Sequence, residues 1–186
     1  MIKLPPGVNI HNLIEDIKDF SWEASETLLY YSDLLKNLNY KEKLLKKTNL
    51  NDPVTEADLK VNKIIINRIN QKYSNINWGI LSEENIKSSS KSLKINPDFL
   101  WVLDPLDGTK DFIQGTGDYA MHLALNYMQR TFLGVVLIPE KNELWISDGK
   151  KVWGERKNGQ KIKPRISSIT NLHEMRVVTS KNHRNQ

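Results

Sequence analysis

Apolar residues in the first part of the 186-residue chain recur at steps of three and four, which predicts two amphipathic helices. The first runs from Ile10 to about Leu38, after a lead-in at residues 1–9. The second runs from Thr55 to about Tyr73, and Asp58 lies three residues after Thr55, as in an N-terminal cap. The positions predicted to face the core in the second helix are Leu59, Ile65, Ile66, Ile69 and Tyr73.

Beyond the second helix, short runs rich in apolar and β-branched residues replace the helical spacing and predict strands. Their predicted bounds are Asn77–Ser82, Phe99–Leu103, Tyr119–Met128, Phe132–Ile138, Glu143–Ser147, Lys151–Gly154 and Arg176–Thr179. Turns are predicted at Gln129-Arg130, Ser147-Asp148-Gly149-Lys150 and Asn158-Gly159. Two helices followed by closely spaced strands predict an α+β fold, in which long helices pack on a largely antiparallel sheet.

Composition excludes several classes of protein. Hydrophobic residues make up 39% of the chain and charged residues 26%, a balance that is ordinary for a soluble globular domain and excludes a wholly disordered one. The absence of Cys excludes disulfides, thiolate metal sites and a Cys nucleophile, and it favours a cytoplasmic protein. The net charge of +5 comes mostly from Lys spread along the chain, which is typical of a solvated surface. We therefore expect no nucleic-acid partner and no membrane span.

The sharpest local signal is the segment 104–109, Asp-Pro-Leu-Asp-Gly-Thr, which directly follows an apolar predicted strand. Its proline holds Asp104 extended and restricts the turn. Asp104 and Asp107 lie three residues apart, near enough for both carboxylates to bind one cation. Gly108 allows backbone N–H groups to approach an anion, and Thr109 adds a hydroxyl at a helix start. The alternative is a polar turn stabilised by Asp and Gly.

Two further acidic features strengthen this signal only in combination. The pair Glu83-Glu84 follows a predicted strand, and Asp58 lies in the first turn of the second helix. Taken singly, each is typical of a solvated pair or of an acid that favours the helix dipole. Together with the segment 104–109 they form an oxygen-only donor set, which suits a hard cation such as Mg²⁺, with Mn²⁺ and Ca²⁺ as alternatives. His122 is predicted to be either a core or a groove residue. Trp101 is predicted to lie in the core.

The acidic motifs, taken in chain order, resemble a known superfamily. Asp52-Pro53-Val54-Thr55-Glu56-Ala57-Asp58, then Glu83-Glu84, then the segment 104–109 are similar to the motifs of the lithium-sensitive, magnesium-dependent phosphatases. That superfamily includes inositol monophosphatases, fructose bisphosphatases and 3′(2′),5′-bisphosphate nucleotidases. The resemblance implies that water, activated by two or three Mg²⁺ ions, hydrolyses a small phosphate monoester without a phosphoenzyme. The resemblance is also compatible with assembly of the protein as a homodimer.

The resemblance implies a set of metal ligands in this chain. Glu83, Asp104 and the carbonyl of Leu106 resemble ligands of the first metal ion. Asp104 also resembles a bridge to a second ion, and Asp107 resembles a ligand of that second ion. Several carboxylates held together would repel one another without such ions.

Other residues are implied to act on water and phosphate. Glu84 and Thr109 resemble the pair that orients or activates the attacking water. Asp58 resembles the acid that organises the Thr109 hydroxyl or holds another metal ion through water. The backbone N–H groups of Gly108 and Thr109 resemble donors to the phosphate.

The residues after this turn bear on the substrate. Lys110-Asp111-Phe112 differs from the Thr-Asn-Phe usual in inositol monophosphatases and is similar to the Lys-Glu-Phe of bisphosphate nucleotidases. Lys110 is therefore implied to contact a second phosphate, with an ordinary surface lysine as the alternative. This favours 3′-phosphoadenosine 5′-phosphate as substrate and a role in sulfur metabolism, with inositol monophosphatase or fructose-bisphosphatase activity as the alternative. Gly117–His122 departs from the family's usual pattern and leaves the substrate open.

The superfamily has a second α/β domain with a Trp-Asp-x-Ala-Ala motif, whose Asp binds metal. In this chain neither Trp145 nor Trp153 is followed by Asp. The sequence thus predicts an N-terminal metal-binding domain at residues 10–180, followed at 181–186 by the start of a linker to a missing C-terminal domain. A truncated, inactive half that binds metal or a partner is a further alternative.

Overall fold

The computed structural model describes residues 3–35, 56–88 and 98–176. Two long helices come first, α1 at Ile10–Leu35 and α2 at Glu56–Lys72. A first strand and a short helix follow, and then a second strand and another short helix: β1 at Gly79–Ser82, α3 at Glu83–Ser88, β2 at Phe99–Asp107 and α4 at Thr109–Gln114. The remaining strands are β3 at Ala120–Tyr127, β4 at Arg130–Ile138, β5 at Glu143–Ser147, β6 at Val152–Arg156 and β7 at Lys161–Ile162.

The seven strands form one sheet whose spatial order is the same as their order in the chain. Only β1 and β2 are parallel, and every later pair is antiparallel. Tight hairpins can join antiparallel strands directly, whereas a parallel pair needs a longer crossover connection. The predicted α+β architecture with a largely antiparallel sheet is confirmed.

The core lies between the two long helices and one face of the sheet. Side chains at steps of three and four along α1, and at steps of four along α2, are fully or almost fully buried: Leu13, Ile17, Phe20, Ala24, Leu28, Ala57, Val61, Ile65 and Ile69. They pack against alternate residues of the central strands, among them Trp101, Leu103, Leu123 and Leu125. Trp101 is a core residue, as predicted.

One predicted core position of α2 is wrong. Leu59 is 44% exposed, because the buried stripe of α2 passes through Ala57, Val61, Ile65 and Ile69 at steps of four residues. Leu59 lies about 200° around the helix from Ala57 and faces away from the sheet. No helix among the described residues has the length and apolar character needed to cross a bilayer.

Several strand boundaries differ from the predicted ones. β2 continues beyond Leu103 to Asp107 through a bulge, because β3 pairs with both parts of it. The turn between β3 and β4 consists of Met128 and Gln129, both with positive φ, rather than Gln129-Arg130. Positive φ at both central residues is the geometry of the hairpin turn that matches strand twist.

The later hairpins match the predicted positions closely. β5 has the predicted bounds, and Gly149 with φ of 77° lies in the predicted turn before β6. Gly159, with φ of 85°, donates its backbone N–H to the carbonyl of Arg156 at 2.8 Å in the predicted Asn158-Gly159 turn. Residues 177–179 of the predicted last strand and the predicted linker at 181–186 lie outside the described residues.

A buried carboxylate ties α1 to the far edge of the sheet. Glu155 in β6 has a side chain only 5% exposed, and its two oxygens pair with Lys18 of α1, at 3.1 Å, and with Lys161 of β7. Burial acts to raise the pKa of Glu155, but the hydrogen bonds from Lys161 and Lys18 outweigh it and hold the pKa below its ordinary value. Glu155 thus favours the folded state when it is ionised.

We expect Glu155→Gln to lower the free energy of unfolding by about 2 kcal/mol at pH 7, because Lys161 loses its charged partner and Lys18 keeps only the exposed Glu15. A carboxylate with a lowered folded-state pKa stabilises above its unfolded pKa, and this contribution is lost as the pH falls through the folded-state value. The difference between wild type and variant should therefore shrink below about pH 4. Urea unfolding at several pH values measures it.

The matched control is Glu26→Gln, because Glu26 also pairs α1 with a lysine, Lys157 in the turn after β6, but with both side chains largely exposed. An exposed pair contributes less than about 1 kcal/mol. Equal losses in the two variants, or a difference that does not depend on pH, would contradict the role given to Glu155.

Candidate active site

The parallel pairing of β1 and β2 brings the first two acidic motifs together. Ser82 at the end of β1 is in register with Leu103 of β2, so the next residues, Glu83 and Asp104, lie side by side. Ser82 caps the start of α3, because its hydroxyl oxygen accepts the backbone N–H of Asn85 at 3.1 Å. This cap turns the chain sharply after β1 and leaves Glu83 exposed at the rim.

The bulge in β2 shapes the segment that carries the two aspartates. Asp104 lies opposite His122 of β3, and Asp107 lies opposite Ala120, so three steps along β2 match only two along β3. One side-chain oxygen of Asp104 accepts the backbone N–H of Leu106 at 3.1 Å, which closes a small turn within the bulge. Asp104 is half-buried, whereas Asp107 is exposed.

Asp104 is the electrostatic centre of this group. Burial raises its pKa above the ordinary value, and the nearby carboxylates of Glu83 and Asp107 raise it further. The N–H of Leu106 and the neighbouring His122 act in the opposite direction without cancelling the effect. The structure thus brings three sequence-predicted acids into one region of negative potential, where a bound cation would relieve their repulsion.

The glycine turn after β2 is held by contacts on both sides. Gly108 has φ of 84°, and a Cβ placed on it would lie 2.7 Å from the carbonyl oxygen of Asp118. The Thr109 hydroxyl donates to the carbonyl of Leu106 at 3.0 Å, and the N–H of Phe112 donates to the carbonyl of Gly108 at 2.9 Å. Only glycine combines this backbone conformation with so close an approach.

Helix α4 begins at Thr109, as predicted, and is anchored by one aromatic contact. Phe112 is 1% exposed, and its ring meets the edge of the Tyr119 ring at 4.8 Å between centroids. Lys110, on the first turn of the same helix, is exposed at the surface. Lys110 is therefore accessible to an anionic ligand.

Two other predicted residues are buried near helix starts. Glu84 in the first turn of α3 is 7% exposed, and Asp58 in the first turn of α2 is 2% exposed. The Thr109 hydroxyl, which Asp58 is predicted to organise, donates to the Leu106 carbonyl. The functional roles of both acids stay predictions.

The donor chemistry fits a hard cation. Every predicted ligand offers oxygen, from the carboxylates of Glu83, Asp104 and Asp107 or from the carbonyl of Leu106. Within residues 3–35, 56–88 and 98–176, no three His, Asp or Glu side chains stand close enough together to hold a metal ion as they are. Glu83 and Asp107 are exposed, so rotation of their side chains toward Asp104 is unhindered by core packing.

An open groove runs from Asp104 and His122 across the sheet face opposite the helices. It has a volume of about 370 Å³, and most of its lining is apolar, including Val102, Val136 and Trp145. These three side chains do not belong to the core cluster between the helices and the sheet. His122 is thus a groove residue, one of the two outcomes predicted, and its position beside Asp104 follows from the β2–β3 register, which the sequence pattern did not reveal.

Sequence comparison relates the chain to known proteins of one family. The sequence profile of the inositol monophosphatase family matches residues 11–186. A fructose-1,6-bisphosphatase/inositol-1-monophosphatase from Thermotoga maritima is 34% identical over 130 residues, which are 69% of this chain and 45% of that protein. The 3′(2′),5′-bisphosphate nucleotidase CysQ of Buchnera aphidicola is 29% identical over 158 residues, which are 85% of this chain and 54% of that protein.

The fold has the same relatives. The crystal structure of the extragenic suppressor protein SuhB from Bartonella henselae superposes with a TM-score of 0.62 at 24% identity, covering 78% of this chain and 53% of that one. The chain spans about half the length of the relatives it matches. Since the family profile extends over nearly the whole sequence and the fold agrees, the chain belongs to the inositol monophosphatase family.

Proposed function

We propose that this chain carries the metal-binding half of a magnesium-dependent phosphate monoester hydrolase. The observation that supports this most directly is the meeting of Glu83, Asp104 and Asp107 at one sheet edge, beside the glycine turn that leads into Thr109. Membership of the inositol monophosphatase family supports it further. Acidic oxygen donors next to backbone N–H groups and a hydroxyl suit a metal-assisted attack on phosphate.

In this proposal the carboxylates of Glu83, Asp104 and Asp107, with the carbonyl of Leu106, hold two or three Mg²⁺ ions. When bound, the ions supply Lewis-acid stabilisation of the phosphate charge and make a nearby water more acidic. The Leu106 carbonyl already accepts the Thr109 hydroxyl, but a carbonyl oxygen has a second lone pair to offer. Asp58, buried in the first turn of α2, is proposed to organise the Thr109 hydroxyl or to hold a further ion through water.

The attacking water is proposed to lie between Thr109 and Glu84. The Thr109 hydroxyl gives its only proton to Leu106, so its oxygen is left as an acceptor that orients the water. Glu84 is proposed to take the water's proton as general base. The water oxygen then bonds to phosphorus, the ester P–O bond breaks, and the departing alkoxide takes a proton from solvent. The products are an alcohol and inorganic phosphate, which the N–H groups of Gly108 and Thr109 are proposed to bind.

For the substrate we infer a nucleoside 3′,5′-bisphosphate. Lys110 is exposed on the first turn of α4, where a cationic side chain can reach a second phosphate. The name of the Buchnera aphidicola relative supports the same substrate class. The name of the Thermotoga maritima relative, at 34% identity, favours inositol 1-phosphate or fructose 1,6-bisphosphate as the second candidate.

We expect Mg²⁺-dependent release of phosphate from 3′-phosphoadenosine 5′-phosphate, at a higher kcat/KM than from inositol 1-phosphate or fructose 1,6-bisphosphate. EDTA should abolish release, because it removes the Mg²⁺ ions that are proposed to act as the Lewis acid. The measurement is colorimetric phosphate release with each of the three substrates. A preference for either of the other two substrates would overturn the nucleotide assignment and leave the hydrolase assignment standing.

The chain is assayed alone and fused to the second half of the Buchnera aphidicola relative, because it spans about half of that protein. Turnover by the fusion alone supports a hydrolase whose site is completed by further residues. A folded fusion that binds Mg²⁺ but releases phosphate from none of the three substrates would contradict the proposal and favour the inactive metal-binding half.

A further inference from the structure

Glu140 joins three parts of the fold behind the glycine turn of the candidate site. One of its carboxylate oxygens accepts the hydroxyl of Ser32, in α1, and the hydroxyl of Tyr119, just before β3, each at 3.0 Å. Glu140 itself lies in the 3₁₀ turn Pro139–Lys141 that follows β4. Ser32 is 5% exposed and Tyr119 is 4% exposed, so Glu140 stands in place of bulk water as an acceptor for both hydroxyls, which are also hydrogen-bonded to each other.

Tyr119 packs against α4 with its ring and lies close to the glycine turn with its backbone. The ring meets Phe112, the buried anchor of α4, at 4.8 Å between centroids. A Cβ placed on Gly108 would lie 3.3 Å from the Cα of Tyr119 and 2.7 Å from the carbonyl oxygen of Asp118. Any displacement of Tyr119 would therefore displace the turn and the start of α4 with it.

The stem of Glu140 also lies beside the same segment. A Cβ placed on Gly117 would lie 3.5 Å from the Cγ of Glu140, and Gly117 has φ of 81°. Glu140 thus lies beside Gly117 and is hydrogen-bonded to Tyr119, in the segment leading from α4 to β3. The hydrogen bonds that Glu140 accepts from Tyr119 and Ser32 span 21 and 108 positions of the chain, respectively, so no local pattern reveals them.

We propose that Glu140 is a positioning residue, which acts through Tyr119 to hold the Gly108–Thr109 turn in the conformation that the phosphate site needs. The phosphate-binding part of this statement rests on the proposed function, whereas the mechanical part does not. The residues that Glu140 bonds or adjoins here are Ser32, Tyr119 and Gly117, and none of them is a predicted metal ligand. It works only by fixing the backbone of residues 117–119 against Gly108.

The mechanical part is tested by amide hydrogen exchange in Tyr119→Phe, which keeps the ring contact but loses the hydroxyl. The reporter is the N–H of Phe112, which bonds the carbonyl of Gly108. We expect its exchange to become roughly fivefold faster, the factor that one hydrogen bond contributes, while amides of the β3–β4 ladder keep their rates. Glu140→Ala, which removes the acceptor of two hydroxyls, should accelerate it more.

Glu140→Gln is the matched control, because its amide oxygen still accepts both hydroxyls and should restore the wild-type exchange rate. Unchanged Phe112 exchange in Tyr119→Phe and Glu140→Ala, uniform acceleration across the sheet, or failure of Gln to restore the rate would each overturn the proposal. Exchange needs no substrate, so this result is independent of catalysis.

In a fusion that releases phosphate, Glu140→Ala should lower kcat/KM and Glu140→Gln should not. Equal kcat/KM in the wild-type fusion, Glu140→Ala and Glu140→Gln would overturn the proposed effect on phosphate binding and leave the mechanical role standing.

Discussion

Asp104→Asn is expected to reduce Mg²⁺-dependent phosphate release by at least about 100-fold, because loss of even an outer-shell partner of a metal ligand costs 10- to 100-fold. Asn keeps an oxygen that can accept the N–H of Leu106, so the turn within the bulge should persist. What disappears is the charge of the predicted bridging ligand. The measurement is the initial rate at saturating Mg²⁺, in the fusion that shows turnover.

The same substitution should not destabilise the metal-free protein. Burial and the repulsion from Glu83 and Asp107 already disfavour the ionised form of Asp104, so removing its charge should keep or raise the free energy of unfolding. Urea unfolding in EDTA measures this. Asp19→Asn, an equivalent change at an exposed position of α1, should alter neither activity nor stability. Retained activity in Asp104→Asn would contradict the ligand role, and a loss of stability would contradict the electrostatic account.

Gly108→Ala is expected to lower the free energy of unfolding by about 2–4 kcal/mol, since it adds a steric overlap to a strained backbone. The φ of 84° disfavours any L-residue, and the new Cβ would lie 2.7 Å from the carbonyl oxygen of Asp118. A backbone atom cannot rotate away as a flexible side chain can. Phosphate release should fall with stability, because the turn carries the N–H groups proposed to bind phosphate. Chemical unfolding and the phosphate assay measure the two effects.

Gly115→Ala is the matched control at the other end of α4. Gly115 has φ of 73°, but no atom lies within 4 Å of a Cβ placed on it. Its replacement should therefore cost only the backbone strain, about 1 kcal/mol. Equal losses in the two variants would show that φ alone, and not the close approach to Asp118, explains the glycine at position 108.

The helices could be predicted from the sequence because their signal is local. Steps of three and four along α1 place Leu13, Ile17 and Leu28 on one face whatever the rest of the chain does. The error at Leu59 arose because an apolar residue near a helix start can lie on either face. Which face of α2 meets the sheet is decided by packing of Ala57 and Val61.

The candidate site could be predicted only as chemistry. The acids at positions 83, 104 and 107 and the glycine at 108 are recognisable because local spacing and residue type are enough to suggest a cation and a phosphate. That these acids lie together was implied by the resemblance, but the neighbours that surround them were not predictable. His122 lies beside Asp104 through a strand register, and Glu140 reaches Tyr119 across a hairpin.

The sequence by itself determined the element types, the oxygen-donor chemistry and the turn that must contain glycine. These follow from periodicity and from the conformational preferences of adjacent residues, which act over a few positions. The tertiary structure alone decided that β1 runs parallel to β2 and so brings Glu83 beside Asp104. It also decided that Gly108 lies against the Asp118 carbonyl. Both depend on strand order and register, which only contacts between distant parts of the chain can set.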